Sequence, residues 1–493
     1  MHRRIFCRII AVMLLVTGIM TVSGCSRNAS YEKLLDRDSP VTITIWHYYN
    51  GVQQAQFDEM VTEFNDTVGM EKGIVVEAVS KESIDELADS VMSSARKDPG
   101  AEKLPDIFAT YAETAYIVDE LGYVADLRKY FPDDEIGEYV ESYIEEGDFK
   151  GDGSLKIFPI AKSTEVLMVN KTDWQKFSDA TGDSLSELTT YEGIAKVAED
   201  YYNYTDGLTP DKKNDGKAFF GMDSVANYMD ISAKELGRPF TFRYEDGRIG
   251  VDVDKKAMRK IWTNYYVPYV KGYFAADSRF RSDDAKIGEI IAYEGSTTGA
   301  VYFPTEVTIN DSVTYPIECI VLPAPSVSGC DRYMVQQGAG MCVVSSSEKK
   351  EYASTIFLKW FTDTERNICF SVKSGYLPVK KEAADTNMIL SVCEKNGIEM
   401  SKVIKDTLFT AMHEIDECGM YFGPVYDKSH KLREYIGSAL EDSAAQACKS
   451  AKQKIAAGYD RDTVMEEYTG NMAFEKWYSD FESGFLDIAD LDD

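Results

Sequence analysis

Four ring-bearing side chains stand in a row at Trp46, His47, Tyr48 and Tyr49. Flat rings with a polar edge suit sugars, because a sugar presents apolar C–H faces to a ring and hydroxyls to its edge. The competing interpretation places these rings in the core. Since successive strand residues point to opposite faces, we expect two of the four to face a ligand.

Two hydroxyl-rich segments offer the hydrogen bonds that a polyol needs. The first is Lys162, Ser163 and Thr164 after "FPIA", and the second is Ser296 and Thr297 in "GSTTGA". Hydroxyls both donate and accept, and flanking glycines let a backbone approach a ligand closely. Lys162 could bind a hydroxyl or an anionic group. For the second segment, a simple turn is the alternative.

The elements that must position these residues alternate between strand and helix. "VTITIWHYY" has the pattern of a strand, and "GVQQAQFDEMVTEFNDTV" repeats its apolar residues at helical spacing. Two further strand–helix pairs follow, in "GIVVEAVS" with "SIDELADSVMSSARK" and in "LPDIFATY" with "AETAYIVDELG". Three such pairs predict a parallel sheet covered by helices. Ligands bind beyond the carboxyl ends of such strands, so Tyr111 joins the candidates, with helix entry as the alternative.

Later segments are assigned by the same periodicities. The apolar "KIFPIAKSTEVLMVNKTDW" predicts one long strand, and "DDAKIGEIIAYEG" predicts an amphipathic helix. "STTGAVYFPTEVTI" is typical of a strand, and "EKKEYASTIFLKWFTDTERNICFSVKSG" predicts one long helix. From about residue 381 onward the pattern is helical again.

The N-terminus has the features of an exported protein. A basic start and an apolar run over residues 9–20, too short to span a bilayer, predict a secretory signal over residues 1–24. The following "TVSGC" resembles the lipobox of bacterial lipoproteins, in which the cysteine is diacylated. That resemblance implies that Cys25 anchors the protein to the outer face of the cell membrane, with residues 25–38 as a flexible tether. The alternative is an ordinary signal peptide with a chance cysteine.

Composition and missing motifs exclude several classes of function. With 53 basic and 83 acidic residues the net charge is −30, which excludes a nucleic acid partner, because binding phosphate backbones needs basic stripes. The sequence has no C-x-x-C pair, H-E-x-x-H, G-x-S-x-G or P-loop motif, so no metal or other cofactor is expected. We expect a binding protein and not an enzyme. Whether any of the cysteines form disulfides stays open.

Several segments, in order, resemble the extracellular solute-binding proteins of ABC importers, in the sugar-binding group with the type II periplasmic-binding-protein fold. The segments are "ITIWHYYNGVQQAQFDEMVTEFN", "LPDIFATYAETAYIVDELGYVADL", "FPIAKSTEVLMVNK", "YEGSTTGAVYFPTEV" with "IVLPAP", and "KEYASTIFLKWFTDTERNICFSVKSGYLPV". The resemblance implies an α/β fold of two lobes that close on a ligand held in the cleft between them. Lobe 1 would contain residues 39–161 and 333–381, and lobe 2 residues 162–332 and 382–493.

The same resemblance adds five candidate residues. The family often has a stacking aromatic where this chain has Tyr302 and Phe303, and its counterpart of "SGYLPV" runs beside the ligand, which points to Tyr376. Gln337 and Gly338 in "VQQGAG" complete the set. The implied partners are a small-molecule ligand, first of all a mono- or oligosaccharide, and the permease subunits of an ABC transporter. The resemblance implies that the protein is a monomer.

Two other functions stay open at this point. One is binding of glycerol-3-phosphate or another small polar solute, which the cation of Lys162 would suit. The other is glycoside hydrolysis, since 83 acidic residues supply carboxylate pairs by chance. Against a hydrolase, no carboxylate pair occupies the candidate loops. A surface scaffold would need repeats or a low-complexity stalk, and the sequence has neither.

Overall fold

The computed structural model describes residues 31–489, and the chain divides into two compact units. Unit 1 contains residues 31–160 together with Ala339–Asn367 and Val379–Ala383, and unit 2 contains Ala161–Gly338, Ile368–Pro378 and residues 384–489. The predicted signal sequence and Cys25 lie outside the described residues. Within the described range, no helix has the length and apolar character needed to cross a membrane.

Fourteen strands occur in the described part of the chain. They are β1 (Val41–His47), β2 (Ile74–Ser80), β3 (Ile107–Thr110), β4 (Glu165–Asn170), β5 (Phe220–Met222), β6 (Thr241–Arg243), β7 (Ile249–Val251), β8 (Ala292–Ser296), β9 (Glu306–Asn310), β10 (Val313–Pro316), β11 (Cys319–Pro323), β12 (Tyr333–Val335), β13 (Gly340–Val343) and β14 (Gly419–Tyr421). Each unit has one four-stranded sheet, and the remaining strands form two-stranded pairs.

The helices of the same range are more numerous. They are α1 (Gly51–Phe64), α2 (Met70–Lys72), α3 (Ile84–Arg96), α4 (Ala112–Glu120), α5 (Asp133–Ile136), α6 (Glu141–Glu145), α7 (Lys171–Thr181), α8 (Tyr191–Gly207), α9 (Val225–Glu235), α10 (Lys255–Val270), α11 (Arg281–Lys286), α12 (Glu348–Phe361), α13 (Thr364–Ser374), α14 (Thr386–Asn396), α15 (Lys402–Glu417), α16 (Ser429–Ala456), α17 (Arg461–Thr469) and α18 (Asn471–Ala489). A 3-10 turn, Thr297–Tyr302, directly follows β8.

The sheet of unit 1 has the strand order β13-β3-β1-β2. Strand β1 pairs in parallel with β2 and with β3, whereas β13 pairs antiparallel with β3. Phe57 and Phe64, at helical spacing on α1, are fully buried, and both rings contact Phe357 of α12. The three predicted strand–helix pairs are confirmed, and their strands pair in parallel as predicted.

The first described residues are packed on unit 1. The ring of Tyr31 meets Tyr130 edge-on with centroids 5.0 Å apart, and lies 5.5 Å from the ring of Tyr352. Glu32 forms an ion pair with Lys72, whose Nζ lies 3.5 Å from the Oε1 of Glu32. Residues 31–34 of the predicted tether are therefore in contact with the folded unit.

The sheet of unit 2 has the order β11-β4-β8-β5. Strand β4 is antiparallel to both β8 and β11, and β5 is parallel to β8. Every residue of β4 is buried, which explains its almost continuous apolar sequence, since a strand covered on both faces needs no alternation.

The core of unit 2 is unusually rich in aromatic rings. Trp262 of α10 stacks on Tyr266 at 4.7 Å, and Phe474 of α18 packs edge-on against Trp262 at 5.5 Å. The 28-residue helix α16 buries Leu432, Ile436 and further apolar residues against the same cluster. These long C-terminal helices belong to the core that supports the sheet of unit 2.

Four element predictions are wrong in extent or type. The predicted long strand shortens to β4, which begins at Glu165, and the residues before it form isolated bridges. "DDAKIGEIIAYEG" divides between the end of α11 and strand β8. Gly288, with φ of 72°, lies between the two elements and lets the chain turn from helix to strand. "STTGAVYFPTEVTI" starts as the 3-10 turn and becomes a strand only at Glu306. The predicted long helix is two helices, α12 and α13, separated near Thr362.

Candidate ligand-binding site

One edge of the unit 2 sheet gathers several candidate residues. Strand β4 runs antiparallel to β8, so the start of β4 lies beside the end of β8, with Glu165 opposite Ser296. Strand β5 runs parallel to β8 and ends at the same edge. We call this edge, formed by the start of β4 and the carboxyl ends of β5 and β8, the site edge. Parallel and mixed sheets bind ligands at such edges.

The hydroxyl-bearing candidates lie together at the site edge. The backbone N–H of Thr297 donates to the carbonyl of Thr164 at 2.8 Å, which joins the two predicted segments directly. Ser163, Thr164 and Thr297 are buried, while Ser296 is half-buried and its hydroxyl lies 3.0 Å from that of Thr298. The Oγ1 atoms of Thr164 and Thr297 have no hydrogen-bond partner among the described residues.

Lys162 connects this edge to two more candidates. Its buried Nζ donates to the carbonyl of Gly338 at 2.7 Å, and Ser163 exchanges backbone hydrogen bonds with Gln337. Gly338 has φ of 85°, and a Cβ there would lie 2.7 Å from the carbonyl oxygen of Ala161. The close approach explains why this position is glycine. The charge of Lys162 is thus directed at a backbone carbonyl.

Tyr376 belongs to the same cluster but is buried. Lys162 exchanges backbone hydrogen bonds with Leu377, the next residue, at 3.1 and 2.6 Å. The Tyr376 ring is 5% exposed and stacks on Phe370 at 6.0 Å. Only a small part of the Tyr376 side chain is therefore open to a ligand in this conformation.

Tyr302 and Phe303 have different environments. Tyr302 ends the 3-10 turn after β8 and is 46% exposed, so its ring is open to stacking. Phe303 is buried and lies nearly parallel to Tyr293 at 6.0 Å. Tyr302 is thus the more exposed of the two, and Phe303 packs on Tyr293 inside unit 2.

The aromatic run of unit 1 lies at the end of β1. Trp46, His47 and Tyr49 are buried, whereas Tyr48 is half-buried and its hydroxyl accepts a 3.4 Å hydrogen bond from the N–H of Ala339. Tyr111, half-buried, immediately precedes α4 at the end of β3. The two neighbouring parallel strands therefore place these five candidates at one edge of the unit 1 sheet.

His47 is fully buried, and neither ring nitrogen has a hydrogen-bond partner within the described range. Burial lowers the pKa of His47 to about 4, because a charged imidazole would be poorly solvated there. Its ring instead packs on Phe57 at 4.8 Å and on Tyr49 at 5.4 Å. His47 therefore acts as a neutral core ring at neutral pH.

The buried neutral histidine predicts an acid sensitivity. Because the folded pKa lies below the unfolded value, the unfolded state binds the proton first, and His47 lowers stability as pH falls from about 6.5 towards about 4. We expect the midpoint of urea unfolding of His47→Leu, compared with that of wild type, to be higher at about pH 5 than it is at neutral pH. Exposed His413→Leu is the control and should leave this pH dependence unchanged. Equal pH profiles for His47→Leu and wild type would contradict the interpretation.

A set of polar residues at the site edge, four buried and one half-buried, was not predicted. It comprises Glu165 of β4, Glu294 of β8, Tyr191 of α8, Asn227 of α9 and Arg433 of α16. Tyr191 donates to both carboxyl oxygens of Glu294 at 3.1 and 3.2 Å, and Asn227 donates to Glu165 at 2.7 Å. These residues come from five separate elements, so no local sequence pattern marks them.

No metal or disulfide chemistry is evident in the described part of the chain. It contains no group of three or more His, Cys, Asp or Glu residues placed to hold a metal ion. The seven cysteines from Cys319 to Cys448 are all free thiols, and burial raises the pKa of Cys319 to about 12. These thiols therefore act as small apolar side chains.

Solved structures share the fold of this chain at low sequence identity. The cyclic alpha-maltosyl-1,6-maltose binding protein from Arthrobacter globiformis is 17% identical, with a TM-score of 0.60 over 90% of this chain and 100% of that chain. The substrate-binding protein Lmo0181 from Listeria monocytogenes, in complex with cycloalternan, is 15% identical, with a TM-score of 0.65 over 92% of this chain and 99% of that chain. UgpB from Mycobacterium tuberculosis, in complex with glycerophosphocholine, has the same identity, TM-score and coverage.

These structures confirm the predicted fold class, an α/β periplasmic-binding-protein fold of two lobes. A comparison with curated protein sequences finds no match. A family model for bacterial extracellular solute-binding proteins matches residues 59–391, more than half of the chain. Proteins of this family are solute-binding proteins. The chain belongs to the bacterial extracellular solute-binding proteins, the solute-binding components of ABC importers, as the sequence predicted.

Proposed function

We propose that this protein binds an oligosaccharide, using the site edge of unit 2, and delivers it to the permease of an ABC importer. The observation that carries the proposal is the convergence of Ser163, Thr164, Ser296 and Thr297 at one sheet edge. The buried Oγ1 atoms of Thr164 and Thr297 lack protein partners in the described range. Sugar hydroxyls donate and accept, so they would satisfy both atoms.

Accessible aromatic surface supports a ligand longer than a single sugar ring. Tyr302 exposes nearly half of its side chain next to the hydroxyl cluster, where it could stack on a second ring. The similar proteins from Arthrobacter globiformis and Listeria monocytogenes bind cyclic oligosaccharides. We therefore place oligosaccharides before monosaccharides.

The remaining parts of the proposal concern the whole protein. We propose that the two units are the lobes that close on the ligand, and that the aromatic residues at the end of β1 and Tyr111 contribute from unit 1. We further propose that the protein is exported, anchored through a lipid on Cys25, and active as a monomer. The basic and apolar N-terminus with "TVSGC" supports export and anchoring.

A phosphate-bearing ligand is the second candidate, since UgpB binds glycerophosphocholine. Two observations favour a neutral ligand instead. The Nζ of Lys162 is buried and donates to the carbonyl of Gly338, and the site edge also carries the buried acids Glu165 and Glu294. Negative charge near the ligand disfavours a phosphate.

Thermal unfolding of the chain without its predicted signal sequence tests this proposal. The panel would contain linear and cyclic oligosaccharides, monosaccharides, glycerophosphocholine and amino acids. A ligand at 100 times its Kd adds about 2.7 kcal/mol to the free energy of unfolding, so its melting temperature should rise clearly. We expect oligosaccharides to give the largest rise. A rise only with glycerophosphocholine would select the phosphate-bearing alternative, and a rise only with amino acids would contradict both.

A further inference from the structure

Two buried carboxyl groups share one face of the unit 2 sheet. In the β4–β8 register, Glu165 lies opposite Ser296 and Leu167 lies opposite Glu294. Glu165 and Glu294 are therefore diagonal neighbours on the same face, a relation that separates residues by about 7 to 8 Å. Their exposed fractions are 6% and 4%. Both carboxyls are thus confined to the same interior space.

The hydrogen-bond partners of the two carboxyls are neutral. Tyr191 donates to both oxygens of Glu294, and the amide of Asn227 donates to Glu165. Neither carboxyl forms an ion pair with a residue of the described range. Arg433 donates to the carbonyl oxygen of the Asn227 side chain, so the amide separates its charge from Glu165.

The other charged and titratable groups around the pair are mostly acidic. Glu235 of α9 and Asp223, just after β5, act on Glu294 as further negative charges, and Tyr228 of α9 packs on Tyr191 at 4.7 Å. Glu192 of α8 is already paired with Lys260. Arg281 is paired with Asp284 and lies 4.0 Å from Asp223. Arg433 is thus the cation whose charge acts on Glu165, where it opposes the effect of burial.

Two carboxylates in this space cannot both be ionised without a large cost. Burial, followed by the nearby Asp223, raises the pKa of Glu165 to about 7 against the effects of Asn227 and Arg433. Burial and repulsion from Glu165 raise the pKa of Glu294 well above its usual range. When two carboxyl groups interact in this way, each step of proton loss is a property of the pair and not of one residue.

We propose that Glu165 and Glu294 hold a proton between them at neutral pH, and that this protonated pair keeps the start of β4 and the end of β8 in their ligand-binding positions. The pair adjoins the hydroxyl cluster along the chain, since Glu165 directly follows Thr164 and Glu294 lies two residues before Ser296. When the proton leaves to solvent at alkaline pH, two like charges remain on adjacent strands and push the strands apart. Ligand affinity then falls. This last step rests on the proposed function.

The stability of the ligand-free protein is expected to depend on pH through this carboxyl pair. The pKa values of Glu165 and Glu294 are higher in the folded protein than in the unfolded chain. At pH values between the unfolded and the folded pKa, the folded state therefore binds more protons than the unfolded state. The stabilisation is fully present below about pH 4.5 and is lost as pH rises through about 7 for Glu165. Stability contributed by the pair therefore decreases towards alkaline pH.

The first experiment measures urea unfolding without ligand from about pH 5 to about pH 9. Glu294→Gln keeps an acceptor for Tyr191 but removes one titrating group, so its midpoint should fall less with pH than that of wild type. Exposed Glu318→Gln, in the same unit, should keep the wild-type slope. Equal slopes for wild type and Glu294→Gln would overturn the proton-sharing pair. Should Glu294→Gln not fold, Glu165→Gln replaces it. If neither folds, an infrared spectrum of wild type lacking a titrating protonated-carboxyl band would overturn the proposal.

The second experiment measures the affinity for the oligosaccharide selected by the thermal panel at about pH 6 and about pH 9. We expect wild type to lose about tenfold in affinity, equivalent to one pKa unit of coupling, and Glu294→Gln to lose much less. Equal losses would overturn the coupling. No binding at either pH would contradict the proposed function, but it would not affect the result of the unfolding experiment. The two failures are therefore distinguishable.

Discussion

Replacing Gly338 by alanine is expected to lower the free energy of unfolding by about 2 to 4 kcal/mol and to remove most of the ligand affinity. Gly338 has φ of 85°, and an added Cβ would lie 2.7 Å from both the Ala161 carbonyl oxygen and Lys162 Cα. These are backbone atoms, so they cannot rotate away as a side chain would. Relief of the clash must displace the segment that carries Lys162 and Ser163. Urea unfolding and ligand titration measure the two effects.

Gly329→Ala is the matched control for this prediction. Gly329 also has positive φ, at 76°, and lies in unit 2, but a Cβ there would have nothing within 4 Å. It should cost only about 1 kcal/mol, the cost of left-handed backbone for an L-residue, and leave affinity unchanged. If both variants lost the same stability, the close approach of Gly338 to Lys162 would not be the cause.

Replacing Thr297 by valine is expected to weaken ligand binding by about 1 to 3 kcal/mol while leaving the free protein as stable as wild type, or slightly more stable. The Oγ1 of Thr297 is buried and has no partner among the described residues, so the free protein loses no hydrogen bond when a methyl group replaces it. The bound protein would lose a contact to a sugar hydroxyl. Thr164→Val should behave in the same way, for the same reason. Calorimetric titration and urea unfolding of each variant provide the comparison.

Thr407→Val serves as the control for both threonine variants. Thr407 is also fully buried with an unpartnered Oγ1, but it lies within helix α15 and not at a strand end. Its replacement should leave affinity unchanged. Loss of affinity in all three variants would show that the effect comes from repacking, and unchanged affinity in Thr164→Val and Thr297→Val would remove these hydroxyls from the site.

The sequence predicts the first half of unit 1 well, because its elements are regular and local. Strand β1 and helix α1 each carry buried apolar residues at the spacing typical of their own type. The failures arise where one apolar segment serves two short elements. In "DDAKIGEIIAYEG", the first four residues complete α11, and Gly288 then allows the chain to turn into β8. Periodicity over so few residues does not separate these states.

Strand ends also indicate the hydroxyl cluster of the site edge. Ser163 and Ser296 come together because β4 and β8 are antiparallel, a pairing that the sequence does not reveal directly. Glu165, Glu294 and their partners could not be predicted, since their contacts join residues that are 62 and 103 positions apart. Local patterns carry no information on such pairs, whereas the folded sheet brings them onto one face.

The aromatic run at the end of β1 illustrates another limit. An aromatic residue has the same appearance in sequence whether it packs in a core or stacks on a ligand. Trp46 is 5% exposed and has Lys81 Nζ 4.0 Å from its ring centroid, and His47 is enclosed by Phe57 and Tyr49. Their role in ligand binding stays a prediction, which substitution at Tyr48, the half-buried member, would address first.

The most direct test of the central claim is a calorimetric titration of the chain lacking its signal sequence with the oligosaccharide that raises its melting temperature most, followed by analysis of the recovered sugar. We expect saturable binding of one ligand per chain and recovery of the intact oligosaccharide, as the proposed function requires. Absence of saturable binding with every oligosaccharide tested, or recovery of cleaved sugar, would contradict it.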